Sequence, residues 1–422
     1  MAPNDAIWLQ DTPTNLMVIN GVLITDRLDL ATLRRVFQER VIEGAEGRYA
    51  RFHQRVERDG GRWYWVDDAA FDIARHIFPA TEPGIATTEQ LRDFIGREAS
   101  KALPTDRPLW QIQLIENFED NSSACIVRLH HCIGDGMALV SVMFHLMEDL
   151  ASEGSTKVAA IRPAAGHKGP GLLRMVQVPL AAPGILLARM LWTPDRHVLH
   201  GPRVSGRKQV AWTAPLDLDI IKAIKNRLNA TVNDVLMATV SGALSRYIRQ
   251  RAGHEIERLR ISMPVSIRPP SATVTLENRF AAVPLELPAG IAHAGERVAR
   301  VKAKMDALKS SVAPIVIYGI QSALLKVLPQ GVSRGLIDFL ANKCTAVVTN
   351  VPGPQRGLAL GGSRLRSLLF WVPQRADIGV GISILSFAGK VQIGVICDTE
   401  LVPDPIELVH AFEEELAALQ AL

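Results

Sequence analysis

Cysteine is scarce in this 422-residue chain: four residues, at positions 125, 132, 344 and 397, without clustered spacing. That excludes a disulfide scaffold and a paired Cys-x-x-Cys metal ribbon, and fits buried free thiols in a reducing compartment. No His-Glu-x-x-His is present, and no metal is expected. No apolar run reaches the ~20 residues of a membrane-crossing helix. The longest candidate, Met175 to Ala188, holds 14 uncharged residues interrupted by Pro179 and Pro183. The opening Met1 to Trp8 lacks the basic start and apolar core of a secretory leader, so a cytoplasmic protein is expected. No internal repeat, low-complexity tract or nucleic-acid motif is visible, and a net charge of +4 does not imply a nucleic-acid partner.

What is present is an ordinary globular composition, 48% apolar and 21% charged, in a chain long enough for two cores. Strand patterns cover 15–24, 124–129, 260–267, 281–286, 345–350, 379–387 and 390–396. Helical patterns cover 30–42, 88–102, 292–309 and 316–341, with a further helix opening at Thr231 and running to about Gln250. Between them, 156–210 is rich in Gly, Pro and basic residues with little periodicity. The expected organisation is α+β: an N-terminal half, 1–155, a crossover, 156–210, and a C-terminal half, 211–422. The apolar crossover segment with Arg174 and Arg189 at its ends suits either packing on the protein body or lying on an anionic lipid surface.

The most informative stretch is His130-His131-Cys132-Ile133-Gly134-Asp135-Gly136, between an apolar strand pattern and a helical one. Strand side chains alternate in direction, so His131 shares a face with Leu129 and Val127, and His130 shares the other with Arg128. An imidazole at a strand end is suited to general base work near neutral pH. Competing readings are a purely structural histidine, a metal ligand, which divergent neighbours disfavour, and Cys132 as nucleophile, for which no activating neighbour is evident.

This His-His-x-x-x-Asp-Gly motif resembles that of the bacterial wax ester synthase/diacylglycerol acyltransferases, within the coenzyme-A-dependent acyltransferase superfamily. The resemblance continues in order along the chain: Asp5 with Thr12 to Met17, Pro108-Leu109-Trp110, Asn233-Asp234, Pro264 to Arg268, Asn278, Asn350 to Pro354, and the closing 381–389 and 391–398. Two departures stand out, Glu277-Asn278 where the family usually has Gly-Asn, and Phe387-Ala388-Gly389 where it has Tyr-x-Gly. The resemblance implies two chloramphenicol-acetyltransferase-like halves with an active-site channel between them. It implies transfer of an acyl group from acyl-CoA to a fatty alcohol or diacylglycerol, with acyl-CoA as substrate and no cofactor. The alternatives are an enzyme drawing on a carrier-protein thioester and a non-catalytic lipid-surface protein.

Roles follow from the same resemblance and from chemistry. An alcohol is not ionised at pH 7, so one base must take its proton as it attacks, and a thiolate leaves with little help; His131 is the expected base. Asp135, a natural helix N-cap, is expected to pair with Arg268 and hold the histidine loop. Gly134 and Gly136 are expected to allow a tight turn and close substrate approach. His130 faces away from His131 and is expected to hydrogen-bond within the fold, with a place at the site as the alternative, and Asn278 is either an oxyanion donor or a turn asparagine. Asn233 and Asp234 are read as structural support, with Thr231 and Asp234 forming a capping box. Trp110, Pro352 and Gly353 are expected to shape the channel. Peripheral attachment to a membrane or lipid droplet is a further expectation.

Overall fold

The computed structural model describes residues 1–44, 47–150, 172–201, 203–269 and 274–422, and within 172–180 the backbone alone. The end of the N-terminal half, the start of the crossover, and the basic residues Lys157, Arg162, Lys168 and the Arg174 side chain lie outside this description.

Two sheets organise the described residues. The first runs in the order 77–79, 110–118, 122–130, 18–26, 363–371, 358–360, 148–149. At its centre the strands Val18–Asp26 and Ser122–His130 pair antiparallel without interruption, from Val18 opposite His130 to Asp26 opposite Ser122. The ladder gains one further bond past the strand end, where the His131 N–H donates to the Met17 carbonyl at 2.8 Å. That bond anchors His131 to the middle of the sheet. The Asp135 carboxylate then caps the helix Gly136–Leu146 through the Ala138 N–H.

The second sheet runs 280–287, 259–266, 346–352, 380–387, 390–398, 208–212, with 216–217 beside 390–398. Its alternation explains its place. Val380, Ile382, Ile384, Ile393, Val395 and Cys397 face the core built with the helix Val232–Ala252. Leu385 and Phe387, on the other face, join Cys132 and Ile133 in a core shared with the first sheet. The second sheet is therefore apolar on both faces, as a sheet covered on both sides must be.

Several expectations shift. The strand expected at 15–24 is Val18–Asp26, and the helix expected over 316–341 is two, Ala313–Val327 and Gln330–Ala341, broken at Leu328-Pro329 because proline disfavours helical geometry in the residue before it. The helix over 30–42 is α-helical to Phe37 and continues as a π-helical turn, Gln38–Glu43. The crossover contains a helix, Leu172–Leu191, and ends in the strand Lys208–Trp212. The hairpin 54–59/62–67 and the strands 110–118, 358–360 and 363–371 were not anticipated. The last matters most. Strand Ser363–Trp371, far along the chain, inserts into the first sheet beside Val18–Asp26, with Asn20 opposite Trp371.

Candidate active site

Strand alternation delivers Val127, Leu129 and His131 to one cavity, of about 280 Å³, whose walls include Phe37, Trp110 and Leu146. A second cavity of about 180 Å³ lies among Trp8, Ile185, Ile317 and Leu340. His131, Pro264, Phe280 and Val372 line both, so the imidazole stands where the two meet. His131 is only 6% exposed, yet it borders open volume on either side.

His131 is gripped closely. Trp8 stacks on it with ring centroids 3.8 Å apart and planes 10° from parallel, and Phe280 lies 5.7 Å away. Nδ1 meets Asn278 Oδ1 at 3.0 Å. Among the described residues Nε2 has no protein hydrogen-bond partner. Burial pushes the imidazole down to about 4, against the opposing pull of its own backbone carbonyl and of Asp135. At pH 7 the ring is neutral and able to accept a proton.

Asp135 fills both roles foreseen for it. Oδ1 caps the helix through the Ala138 N–H at 3.1 Å, and Oδ2 accepts from Arg268 Nη1 at 2.6 Å and from the Arg279 N–H at 2.9 Å. Both partners of the ion pair are almost wholly buried, at 4% and 6% side-chain exposure. Arg268 also donates to the Glu277 carbonyl, so the residue before Asn278 is held through its backbone. Gly134 is closely packed: a Cβ there would sit 3.1 Å from both the Ala138 Cβ and the Leu276 carbonyl oxygen, so a side chain would require its neighbours to give by a few tenths of an ångström. At Gly136 the nearest such atom is Val351 Cγ2 at 3.8 Å, and the residue lines the first cavity.

Four candidates do not take the site role offered for them, and for His130 the bond within the fold is what the structure has. His130 lines neither cavity; its Nε2 bonds Asp11 Oδ2 at 2.8 Å on the opposite strand face. Burial opposes a charge on that ring, while the Cys132 sulfur and the Asp11 carboxylate favour one, and the net direction is upward. Asn278 is not placed as an oxyanion donor, because its amide nitrogen already donates to Asp5 Oδ1 at 2.8 Å and to the His131 carbonyl at 2.9 Å. Pro352 and Gly353 do not line the first cavity, whereas Thr349, Asn350 and Val351 do. Gly353 instead allows close backbone approach, since a Cβ there would fall 2.3 Å from the Ser386 carbonyl oxygen.

The remaining candidates are structural neighbours of the site. Asn233 accepts from Asn350 Nδ2 at 2.9 Å and so holds a cavity-lining strand. Asp234 closes the capping box with Thr231. Trp110 lines the first cavity while its Nε1 donates to the Phe52 carbonyl at 2.8 Å. All four cysteines are buried free thiols, and burial pushes Cys125 and Cys344 up to about 12. Cys132 lines neither cavity.

Asp5, Arg51 and Trp8 were missed as site residues. The Asp5 carboxylate, fully buried, accepts from Arg51 Nη2 at 2.7 Å, and Arg51 Nη1 also donates to the carbonyls of Cys132, Ile133 and Leu276. Asp5 stood out only as part of the opening segment, and no local pattern marks Arg51.

Comparison with known proteins places this geometry. Residues 1–190 match the sequence model of the wax ester synthase/diacylglycerol acyltransferase catalytic domain, and 276–420 that of the WS/DGAT C-terminal domain. A Mycobacterium tuberculosis protein named as a diacylglycerol O-acyltransferase is 27% identical over 406 residues, spanning 88% of this chain and 85% of its own. A second from the same species is 25% identical over 389 residues, spanning 84% and 76%. The structure of a wax ester synthase/diacylglycerol acyltransferase from Marinobacter aquaeolei VT8 superposes with a TM-score of 0.72 at 22% identity, covering 100% of this chain and 99% of that one. The first condensation domain of the CDA synthetase follows the same fold at a TM-score of 0.62 and 14% identity, covering 100% and 94%.

Proposed function

The chain belongs to the wax ester synthase/diacylglycerol acyltransferase family, and we propose that it moves a fatty acyl group from acyl-CoA to a long-chain alcohol or a diacylglycerol. The observation that carries this reading is a neutral, cavity-facing His131 whose Nε2 has no protein hydrogen-bond partner among the described residues. The alcohol hydroxyl sits against Nε2 and gives up its proton as its oxygen attacks the thioester carbonyl. The imidazolium then returns that proton to the departing CoA sulfur, a leaving group whose thiol has a pKa of about 8.5. No acyl-enzyme is involved. The base contributes roughly 10²–10⁴-fold, and positioning in the two cavities contributes further.

We assign the chain two halves, 1–155 and 211–422, bridged by 156–210, with 358–371 lent back to the first sheet. Acyl-CoA is a substrate in this scheme and no cofactor enters it. A lipid surface is the proposed second partner. The helices Leu172–Leu191, Ala313–Val327 and Gln330–Ala341 line the second cavity and also expose Leu187, Leu191, Val327, Val332 and Phe339. An apolar rim of this kind lets a water-insoluble acceptor pass from lipid to His131. No single described helix is long and apolar enough to cross a membrane. The proposed place of action is the cytoplasmic face of a membrane or a lipid inclusion.

The test is thiol release from palmitoyl-CoA with and without hexadecanol or a diacylglycerol. Alcohol-dependent release that disappears in His131→Ala is the expected result. Absence of release with every alcohol overturns the reading in favour of a lipid-surface protein.

A further inference from the structure

We propose that Asp5 is the positioning residue for the base: acting through Asn278, it dictates which nitrogen of His131 carries the proton. This rests on His131 being the base, but its structural content can be tested without substrate.

The argument is one of donors and acceptors. The Asn278 side chain has one end that only donates and one that only accepts. Its first end lies 2.8 Å from Asp5 Oδ1 and 2.9 Å from the His131 carbonyl oxygen. A carboxylate and a carbonyl only accept, so this end is the NH2 group. The other end is therefore the oxygen, and it meets His131 Nδ1 at 3.0 Å. An oxygen facing a ring nitrogen at that distance requires Nδ1–H. The lone pair is left on Nε2, where the alcohol proton has to go. The opposite tautomer would set a lone pair against a lone pair inside a buried site, an arrangement without compensation from water.

Asp5 holds Asn278 at two points, since Oδ1 also accepts the Asn278 backbone N–H at 2.9 Å. Arg51 fixes the carboxylate in turn, at 2.7 Å on Oδ2. A buried series thus runs Arg51–Asp5–Asn278–His131, and the charge at its head makes its polarity one-way. An asparagine at position 5 would lose that sense, because its side chain offers both a donor and an acceptor and permits the Asn278 amide to turn over. The same stretch also supplies the ring's cover. The short helix Pro3–Ala6 carries Asp5, the Trp8 N–H bonds the Asp5 carbonyl at 3.2 Å, and Trp8 stacks on the imidazole. The first eight residues are accordingly part of the catalytic apparatus, although the reacting histidine lies far along the chain.

The experiment is ring-nitrogen NMR on full-length, 15N-histidine-labelled protein at pH 7, with the His131 signals assigned by their absence in His131→Gln. The wild type is expected to show a protonated Nδ1 and a bare Nε2. Asp5→Asn is expected to show a mixture of tautomers and at least a tenfold fall in kcat, with KM for palmitoyl-CoA within about twofold. Asn278→Ala leaves the Arg51–Asp5 pair in place, so it separates the relay from fold stability and serves where Asp5→Asn fails to fold. It is expected to lose the single tautomer and to lower kcat similarly. A wild-type spectrum with Nε2–H overturns the proposal. So does an Asn278→Ala protein that keeps one Nδ1–H tautomer and wild-type kcat, the outcome if the ring's own carbonyl holds it unaided. A wild type with the expected spectrum but no acyl transfer would sink the proposed function and leave the tautomer relay standing.

Discussion

Arg268 reaches across 133 positions of sequence to bond Asp135 at 2.6 Å, tying the end of a second-sheet strand to the helix that follows the histidines. Asp135→Asn keeps the helix cap, since asparagine caps as well as aspartate, but leaves a buried guanidinium without its counter-charge. Stability is expected to fall by about 3 kcal/mol and activity by at least tenfold, read by chemical denaturation and by thiol release. A folded variant of unchanged stability and turnover would refute the structural role given to this pair.

The pH profile follows from the buried imidazole. His131 is held down to about 4 from an ordinary 6.5, so it remains an unprotonated base far below neutrality. The acid limb of kcat/KM is expected below pH 5, and a limb at 6.5 would contradict this. The sign for stability is the same. The unfolded chain takes up the proton near 6.5 and the folded chain only near 4, so this residue's contribution is present above 6.5 and is lost as pH falls between those values.

Trp8→Ala removes the ring stacked at 3.8 Å on His131. The lost stacking is worth about 1 kcal/mol, so kcat is expected to fall roughly fivefold as the imidazole gains rotational freedom. Trp8→Phe is expected to restore most of it in the same assay. Equal activity in all three proteins would show that the stack does not position the base.

Val127 lies two residues below Leu129 on the cavity-facing side of its strand. Val127→Phe is expected to shorten the first cavity and to shift the preference toward shorter chains. The measurement is kcat/KM across an acyl-CoA series and, separately, an alcohol series, and the series that shifts identifies which substrate occupies that cavity. A parallel loss for every chain in both series would mean the cavity holds neither.

Ala388 stands at φ 46° and Gly389 at φ 77°, in the turn where Phe387 pairs with Lys390. A left-handed alanine is strained, so Ala388→Gly is expected to raise stability by about 1 kcal/mol, visible as a higher denaturation midpoint with activity unchanged. No gain would show that the turn is relaxed as it stands.

The histidine motif and the Asp135–Arg268 pair were legible because chemistry and resemblance both point at those residues. The strands flanking the motif were legible from apolar runs such as 124–129. Strand 363–371 was not. Its segment, Ser-Arg-Leu-Arg-Ser-Leu-Leu-Phe-Trp, alternates only in its first half, and nothing local announces a partner some 340 residues earlier. The break at Pro329 was available from the proline itself and was overridden by apolar periodicity on both sides. Asp5 was hidden for a different reason. Its value arises from contact with Asn278, 273 positions away, and such a pairing leaves no spacing to read.

Strand 363–371 makes each lobe hostage to the other. Truncation ahead of residue 358 would strip the 18–26 strand of its neighbour and leave a row of unpaired amides and carbonyls along a newly exposed sheet edge. The chain passes from one sheet to the other on both sides of 358–371, so any relative motion of the two sheets has to be absorbed in the links 353–357 and 372–379.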